Sequence, residues 1–480
     1  MENDKLPISL ESDAVSCEAV RVRRFVGREA ISRLFEYEVE VVVVDESGPK
    51  AEDFLGTGVT IVLDNVAGSD VVRRLHGMVV GFSDALESQA GYRTYSLRIA
   101  PRAHALAMVE ASETFLDLSV PAVIAQKLDA IGLDQATAFR LRGDYAARDF
   151  TAQYQESDLA FVSRLAEHLG ISFFFEHGET GAQLVFVDDA ESFGRIEGEA
   201  LQYRPRGEGV DLYSLRVEQR LVPGFYSVHD YNYRTPHVDL TGEHSLPDGF
   251  AGGCIEYGTH HKTPAEATAM ARARAEERRA GERVFVGKST APTLGAGLRV
   301  RVEGHPELGA IDLCITEVEH VATQVVGGFD AGGPSYENTF RAIPADRTFR
   351  PARTTPKPRI AGIVTGIVDP GHGVPEGRYA NLDAEGRYLV RFLFDTNHPG
   401  DRPTSRPVRM LQNHAGAGYG THFPLKPGAE VAVGFIGGDP DRPIIVGAVP
   451  NAATPSPVSN ANPGLHRMRT SSGITIDMVE

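Results

Sequence analysis

The chain contains no tryptophan, only three cysteines and no apolar run of membrane-spanning length. Each absence removes a class of protein. Cys17, Cys254 and Cys314 lie far apart and are odd in number, so a disulfide framework is not expected and each reads as a small buried hydrophobe. The run VEVVVV at Val39–Val44 falls far short of the roughly 20 apolar residues that cross a bilayer, and no stable membrane insertion is expected. The N-terminal stretch MENDKLPISLESDAV has neither a basic region nor an apolar core. Synthesis in the cytoplasm, with any exit by a route that ignores signal peptides, is the reading. A basic excess is also missing. The formal charge of −17 argues against nucleic acid and against anionic lipid, both of which need a cationic footprint.

The remaining composition is that of an ordinary globular protein, with 42% hydrophobic and 24% charged residues. A chain of 480 residues suggests roughly two to four domains at about 100–200 residues each. From Cys17 to Ala100, apolar and polar residues alternate through five strand-like runs separated by turn residues. Three helices stand out. Ser119 and Pro121 open one that Gly132 ends. Ser157 and Asp158 open a second, with Leu159, Val162, Leu165 and Leu169 as its apolar stripe and Gly170 as its stop. Thr263, Pro264 and Glu266 open a third, which Arg278 and Arg279 close. The Pro- and Arg-rich stretch 346–359 reads as a linker between a first region, 1–345, and a second, 360–451. Five strand-like runs fill about 90 residues there, as an OB-fold barrel requires. OB folds often bind single strands, but acids and bases balance in this one and its aromatics read as core. A final segment, 452–480, ends in a strand with Ile474, Ile476 and Met478 on one face, which a single strand cannot keep from water.

Sites for chemistry are sparse. GKST at Gly287–Thr290 follows a strand but lacks the loop-helix order of a phosphate cradle. His260 and His261 are adjacent and do not converge on one ion. His414 and His422 read as loop histidines, and Pro399 breaks the calcium-like spacing of Phe394–Ser405. No GxSxG and no glycosidase carboxylate pair occur, so neither a catalytic residue, a cofactor nor a metal is expected and the chain reads as no enzyme.

Two longer strings are more telling. YQESDLAFVSRLAEHLGISFFFEHG, Tyr154–Gly178, carries Glu156, Ser157, Asp158, Phe161, Arg164 and Gly170. NHAGAGYGTHFPLKPGAEVAVGFIGGDPDRPIIVGAVPN, Asn413–Asn451, carries Gly437, Gly438, Asp439, Pro440, Asp441, Arg442 and Pro443 in its turn. Together with ISRLFEYEVEV at Ile31–Val41 and LSVPAVI at Leu118–Ile124, they resemble the VgrG family, the spikes of bacterial type VI secretion systems, over Cys17 to Gly473. The resemblance implies a mainly β fold with small α insertions: two tube-type β-barrels, then a five-stranded OB-fold barrel, then the start of a trimeric β-needle. It implies a homotrimer that caps an Hcp tube, contacts baseplate proteins, carries a PAAR-repeat tip with effector or adaptor proteins, and punctures target envelopes. The hub of a phage-tail-like extracellular contractile injection particle shares this architecture and is the alternative.

Three departures from the family accompany the match. Phe394 and His414 stand where tryptophan is usual, which alters aromatic packing in the OB fold. The sequence ends at Glu480, where longer relatives continue into the needle, so the expectation is a very short, truncated or separately completed needle. No C-terminal toxin domain follows, so no intrinsic effector activity is expected.

Overall fold

The computed structural model describes residues 7–44, 48–64, 66, 72–84, 92–196, 198, 200–205, 209, 211–326, 335–369, 379–396 and 407–479. They form two compact units that are not collinear with the chain. The first comprises 1–109, 124–144 and 158–356, and the second 110–123, 145–157 and 357–480.

In the first unit the alternation read from the sequence becomes a curled sheet. Strands β1 (Ile8–Glu11), β2 (Val20–Ala30), β3 (Glu36–Val43), β4 (Gly58–Asp64), β5 (Val72–Asp84) and β6 (Arg93–Ala100) follow the order β1-β4-β5-β6-β3-β2, each neighbour antiparallel. In β3, Tyr37, Val39 and Val41 point inward while Glu36 and Glu38 face water, the period-two pattern of a sheet with one wet face. The core holds Phe25, Tyr37, Val39, Ile61, Leu75, Leu97 and Ile99. One side chain bridges β1 and β2. The Gln324 amide accepts from the Ile8 amide at 3.0 Å and donates to the Ile8 and Val22 carbonyls at 2.7 and 2.5 Å.

The long strand Gly309–Thr323 carries the sheet onward. One of its edges pairs with β2 through 317–323 and with Leu298–His305 through 309–314, and the other pairs with Ser335–Pro344. Beyond lie Arg283–Ser289 and Leu212–Gln219. A bridge from Leu212 to Tyr203, and pairing of Leu201–Gln202 with 302–303, return the hydrogen-bond path to its start. Phe285, Val302, Leu313, Ile315 and Phe340 fill the interior. Gly287 of GKST therefore lies in a strand, and a Cβ there would meet the Phe340 ring at 2.3 Å. It cradles no phosphate.

Three insertions decorate this sheet. Ser172–His177 and Ala182–Val187 form a hairpin joined by Thr137–Arg140. The helix Asp158–Leu169 buries Phe161, Val162, Arg164, Leu165 and Glu167, a broader face than the apolar stripe alone. The helix Pro264–Ala280 packs on a sheet of Pro223–Asp230, Leu240–Ser245 and Phe250–Tyr257. It rests on Gly242, where a Cβ would stand 2.2 Å from the Ala267 backbone. Thr263 caps it by accepting from the Glu266 amide at 3.2 Å, while the Glu266 carboxylate accepts from the amide of Lys262, the residue before the cap, at 2.8 Å.

Most of the predicted linker is an anchored strap. Arg347 pairs with Glu282 at 2.8 Å, Arg350 with Glu276 at 2.9 Å, and Arg353 with Glu256 at 2.7 Å and Glu277 at 3.3 Å. Arginine at every third position of a proline-rich stretch lies on one side of an extended chain with three residues per turn, here the side facing these acids.

In the second unit, Val364–Val368, Val390–Phe392, Glu430–Phe435 and Pro443–Ala448 form a four-stranded sheet. The fifth predicted strand is reduced to bridges: Tyr388 pairs with Val408, and Met410 with Ile445. Those two bridges close the ring. Its core comprises Val368, Tyr388, Val390, Phe392, Val431, Val433 and Ile445, with Phe150 and Ala152 contributed by segment 145–157 of the same unit. Ala152 lies in the strand Thr151–Ser157, which pairs with Glu110–Phe115. Phe394, in a tryptophan position of the family resemblance, packs 5.3 Å from Phe392 and edge-on to Tyr154 at 5.2 Å. Of Phe394–Ser405, residues 397–405 lie outside the described residues. Among the described residues no helix is long and apolar enough to cross a membrane.

Candidate functional site

The two long strings and the terminal strand occupy three places, and each solves a packing problem. In the first, Glu156 and Ser157 end the strand Thr151–Ser157, and Asp158 opens the helix directly after it. Asp158 meets the Lys127 ammonium at 2.9 Å with both side chains about 5–6% exposed. Lys127 and Arg164 stand 6.0 and 5.0 Å from the Phe161 ring centre, so one aromatic ring serves two cations. Glu167 accepts from the Thr355 amide and hydroxyl at 2.9 and 2.8 Å. Gly170 holds φ at +71°, and its carbonyl accepts from Arg350 at 2.9 Å. The helix is thus a platform for the strap.

The second string ends in the turn Gly437–Pro443. Gly437 and Gly438 adopt φ of 66° and 75°, where a Cβ would strain the backbone. Asp439 accepts from the Asp441 amide at 3.0 Å and its carbonyl from the Arg442 amide at 2.9 Å, which closes the turn around buried Pro440. Pro443 begins the return strand opposite Phe435. The two carboxylates share the Lys357 ammonium at 2.5 and 2.7 Å, and Asp441 also accepts from the Ala152 amide at 2.7 Å. The turn therefore ties the strap's end and the inserted strand to the ring.

The third place has no core. Thr475–Val479 pairs with Leu465–Arg469 as a hairpin, with Gly473 at φ 93° in its turn. Arg467 grips Asp477 with two contacts of 2.8 Å. Ile474, Ile476 and Met478 are 67%, 58% and 58% exposed. Such a two-stranded ribbon is marginal alone.

Three of the histidines singled out in the sequence have side-chain partners among the described residues. Buried His261 bonds the Leu240 carbonyl at 2.6 Å and the Thr259 hydroxyl at 2.7 Å. His422 bonds Tyr388 at 3.0 Å, and the His414 ring packs edge-on to Tyr419.

Sequence reasoning missed a buried charge network. Glu29 continues the inward row of Phe25 and Gly27 in β2. Arg73 donates to it at 2.9 Å and to the Pro292 carbonyl at 2.7 Å; Tyr37 donates to it at 3.1 Å. His320 lies 3.4 Å away and bonds Tyr336 at 2.7 Å. Burial opposes the Glu29 charge, but Arg73 and His320 hold its carboxyl well below the usual range. The available signal was a charge in the inward row of β2, whose other members, Val20, Val22, Phe25 and Gly27, are apolar.

Comparison with known proteins agrees with this architecture. Residues 28–326 match the phage tail baseplate hub (GPD) family, and 380–449 match the type VI secretion system/phage-baseplate injector OB domain. The type VI secretion system spike protein VgrG4b of Pseudomonas aeruginosa is 31% identical over 91% of this chain and 55% of its own. For the spike protein VgrG3 of Vibrio cholerae the figures are 28%, 94% and 46%. The actin cross-linking toxin VgrG1 of Vibrio cholerae is 27% identical over 94% of this chain and 42% of its own. The chain spans about half the length of these curated relatives. Among solved structures, the E. coli c3393 protein, a type VI secretion component similar to the T4 tail proteins gp27 and gp5, superposes with a TM-score of 0.68 at 26% identity, covering 92% of this chain and all of that one. With a hub match over more than half its length and an injector OB match behind it, this chain belongs to the phage tail baseplate hub family, in the branch of the VgrG spike proteins.

Proposed function

We propose that the chain is the protomer of a homotrimeric spike in a type VI secretion apparatus, and that its role is structural rather than enzymatic. Relatives named as spike proteins align along almost its whole length, which supports the role. The first unit supplies the hub, with two strand rings per chain and hence six around a threefold axis, a count that suits a sixfold Hcp tube. Solved complexes titled PdpA–VgrG support attachment of further proteins, and a PAAR-repeat tip, baseplate proteins and effector or adaptor proteins complete the proposed set. Export follows the apparatus rather than a signal peptide.

The observation that carries the trimer is the terminal hairpin. Ile474, Ile476 and Met478 alternate along one exposed face, which no core cluster among the described residues covers, and a threefold axis gives three such faces each other as cover. Light scattering at several concentrations tests it. A stable particle of three times 51.9 kDa is expected, and a monomer at every concentration overturns the trimer for this chain.

A further inference from the structure

His177 sits at the free end of the Ser172–Val187 hairpin, where that insertion meets the first ring of strands. Both ring nitrogens are engaged. The His76 backbone amide donates to Nδ1 at 3.1 Å, and Nε2 stands 3.1 Å from the Tyr37 hydroxyl, which itself donates to Glu29. A backbone amide can only donate, so Nδ1 must carry the lone pair and Nε2 the proton. The imidazole that closes this junction is therefore neutral. A second proton would set an N–H of the ring against an N–H of the backbone.

We propose that His177 is a proton-operated latch: its neutral ring fastens the hairpin to the first strand ring, and proton uptake by the opened hairpin keeps it from closing. The groups that face it oppose the proton while the hairpin is shut. His76 stacks on it at 6.2 Å, and Arg73 and His320 lie behind Tyr37. Phe35 covers one side at 5.2 Å, and Glu29, the one anion of the network, is already neutralised by Arg73. Burial first, then Arg73, His76 and His320 against the attraction of Glu29, bring the closed-state pKa of His177 down from 6.5 to about 3. In the opened hairpin the ring returns to its ordinary value. Opening thus captures one proton between pH 6.5 and 3, and the latch weakens as pH falls through that window. Glu29, held well below the ordinary range, adds at most about a factor of two down to pH 4.5, its free value.

Cys314 is a built-in reporter. It is buried beneath this hairpin among Phe174, Val185 and Val187. In full-length chain with Cys17→Ser and Cys254→Ser, Cys314 is labelled with dithiodipyridine, a thiol reagent that works in acid. Rates are divided by those of an unstructured cysteine peptide at each pH. With one proton linked to opening, corrected labelling rises about 100-fold from pH 7.5 to 4.5 while the far-ultraviolet circular dichroism is retained. His177→Gln keeps an acceptor and a donor but cannot titrate, and is expected to flatten the profile. His237→Gln, at an exposed site, is expected to leave it unchanged. Equal slopes in wild type and His177→Gln overturn the proposal, as does labelling that is independent of pH or that rises only when the dichroism is lost.

Discussion

The most demanding residues of the hub are charged and buried. Glu29 is 6% and Arg73 11% exposed, and they meet at 2.9 Å beside a largely apolar core. Taking one partner away strands the other, which costs more than the pair itself contributes. Arg73→Met is expected to destabilise the chain by about 3–5 kcal/mol, whereas Arg73→Met combined with Glu29→Gln costs clearly less. Urea unfolding of the two variants measures the difference, and equal losses would count against a paired role. This network was almost illegible in the sequence, because Glu29 and Arg73 are 44 residues apart and no local pattern joins them. Gln324 was equally hidden, since its function is to span a gap between two strands that alternation alone cannot reveal. The signature residues were legible as a string, but their work was not. Asp158 read only as a helix start and Arg164 only as a letter of the string, and both are buried against Lys127 and Phe161.

At the scale of the element, periodicity carried most of the fold. Strands β2 to β6, the three helices and four of the five OB runs lie where alternation, caps and turn residues put them, whereas β1, before Cys17, was not foreseen. Two kinds of segment escaped. The strand Glu110–Phe115 and its partner Thr151–Ser157 pack on the OB core through Phe150 and Ala152, a long-range assignment that contiguous reading cannot make. The strap escaped because proline signals stiffness and not attachment. Arg347, Arg350 and Arg353 sit three apart so that an extended chain presents all of them to the acids around the helix Pro264–Ala280. Arg350 and Glu276 are each 15% exposed, so Arg350→Ala removes a well-shielded pair together with the bond to the Gly170 carbonyl. A loss of about 1.5–3 kcal/mol is expected. Trypsin cleavage within 347–353 is the sharper readout: faster in the variant, and faster in wild type at 1 M salt, where charges are screened beyond about 3 Å. Unchanged cleavage in both cases would mean that the prolines, rather than the ion pairs, hold the strap.

At the scale of the whole molecule, the resemblance named the assembly before any geometry did, and the geometry adds an exposed apolar face that the proposed trimer would cover. Ile474, Ile476 and Met478 contribute little to the isolated chain, being exposed on a hairpin held by its backbone pairing and by Arg467 on Asp477. Replacing all three with serine is therefore expected to leave the unfolding free energy of the separated chain within about 0.5 kcal/mol of wild type, as for surface changes generally. In a trimer the same change deletes nine side chains from the contact between copies. Burying each is worth about 1.5–3 kcal/mol, so even partial cover makes the trimer at least about 100-fold weaker. Sedimentation across a concentration series separates these effects. A weakened trimer built from chains of unchanged stability supports the hairpin as part of the contact. Intact trimers in the serine variant would place the contact in the hub or the OB ring instead, and destabilised chains would mean that the three side chains serve the chain's own fold.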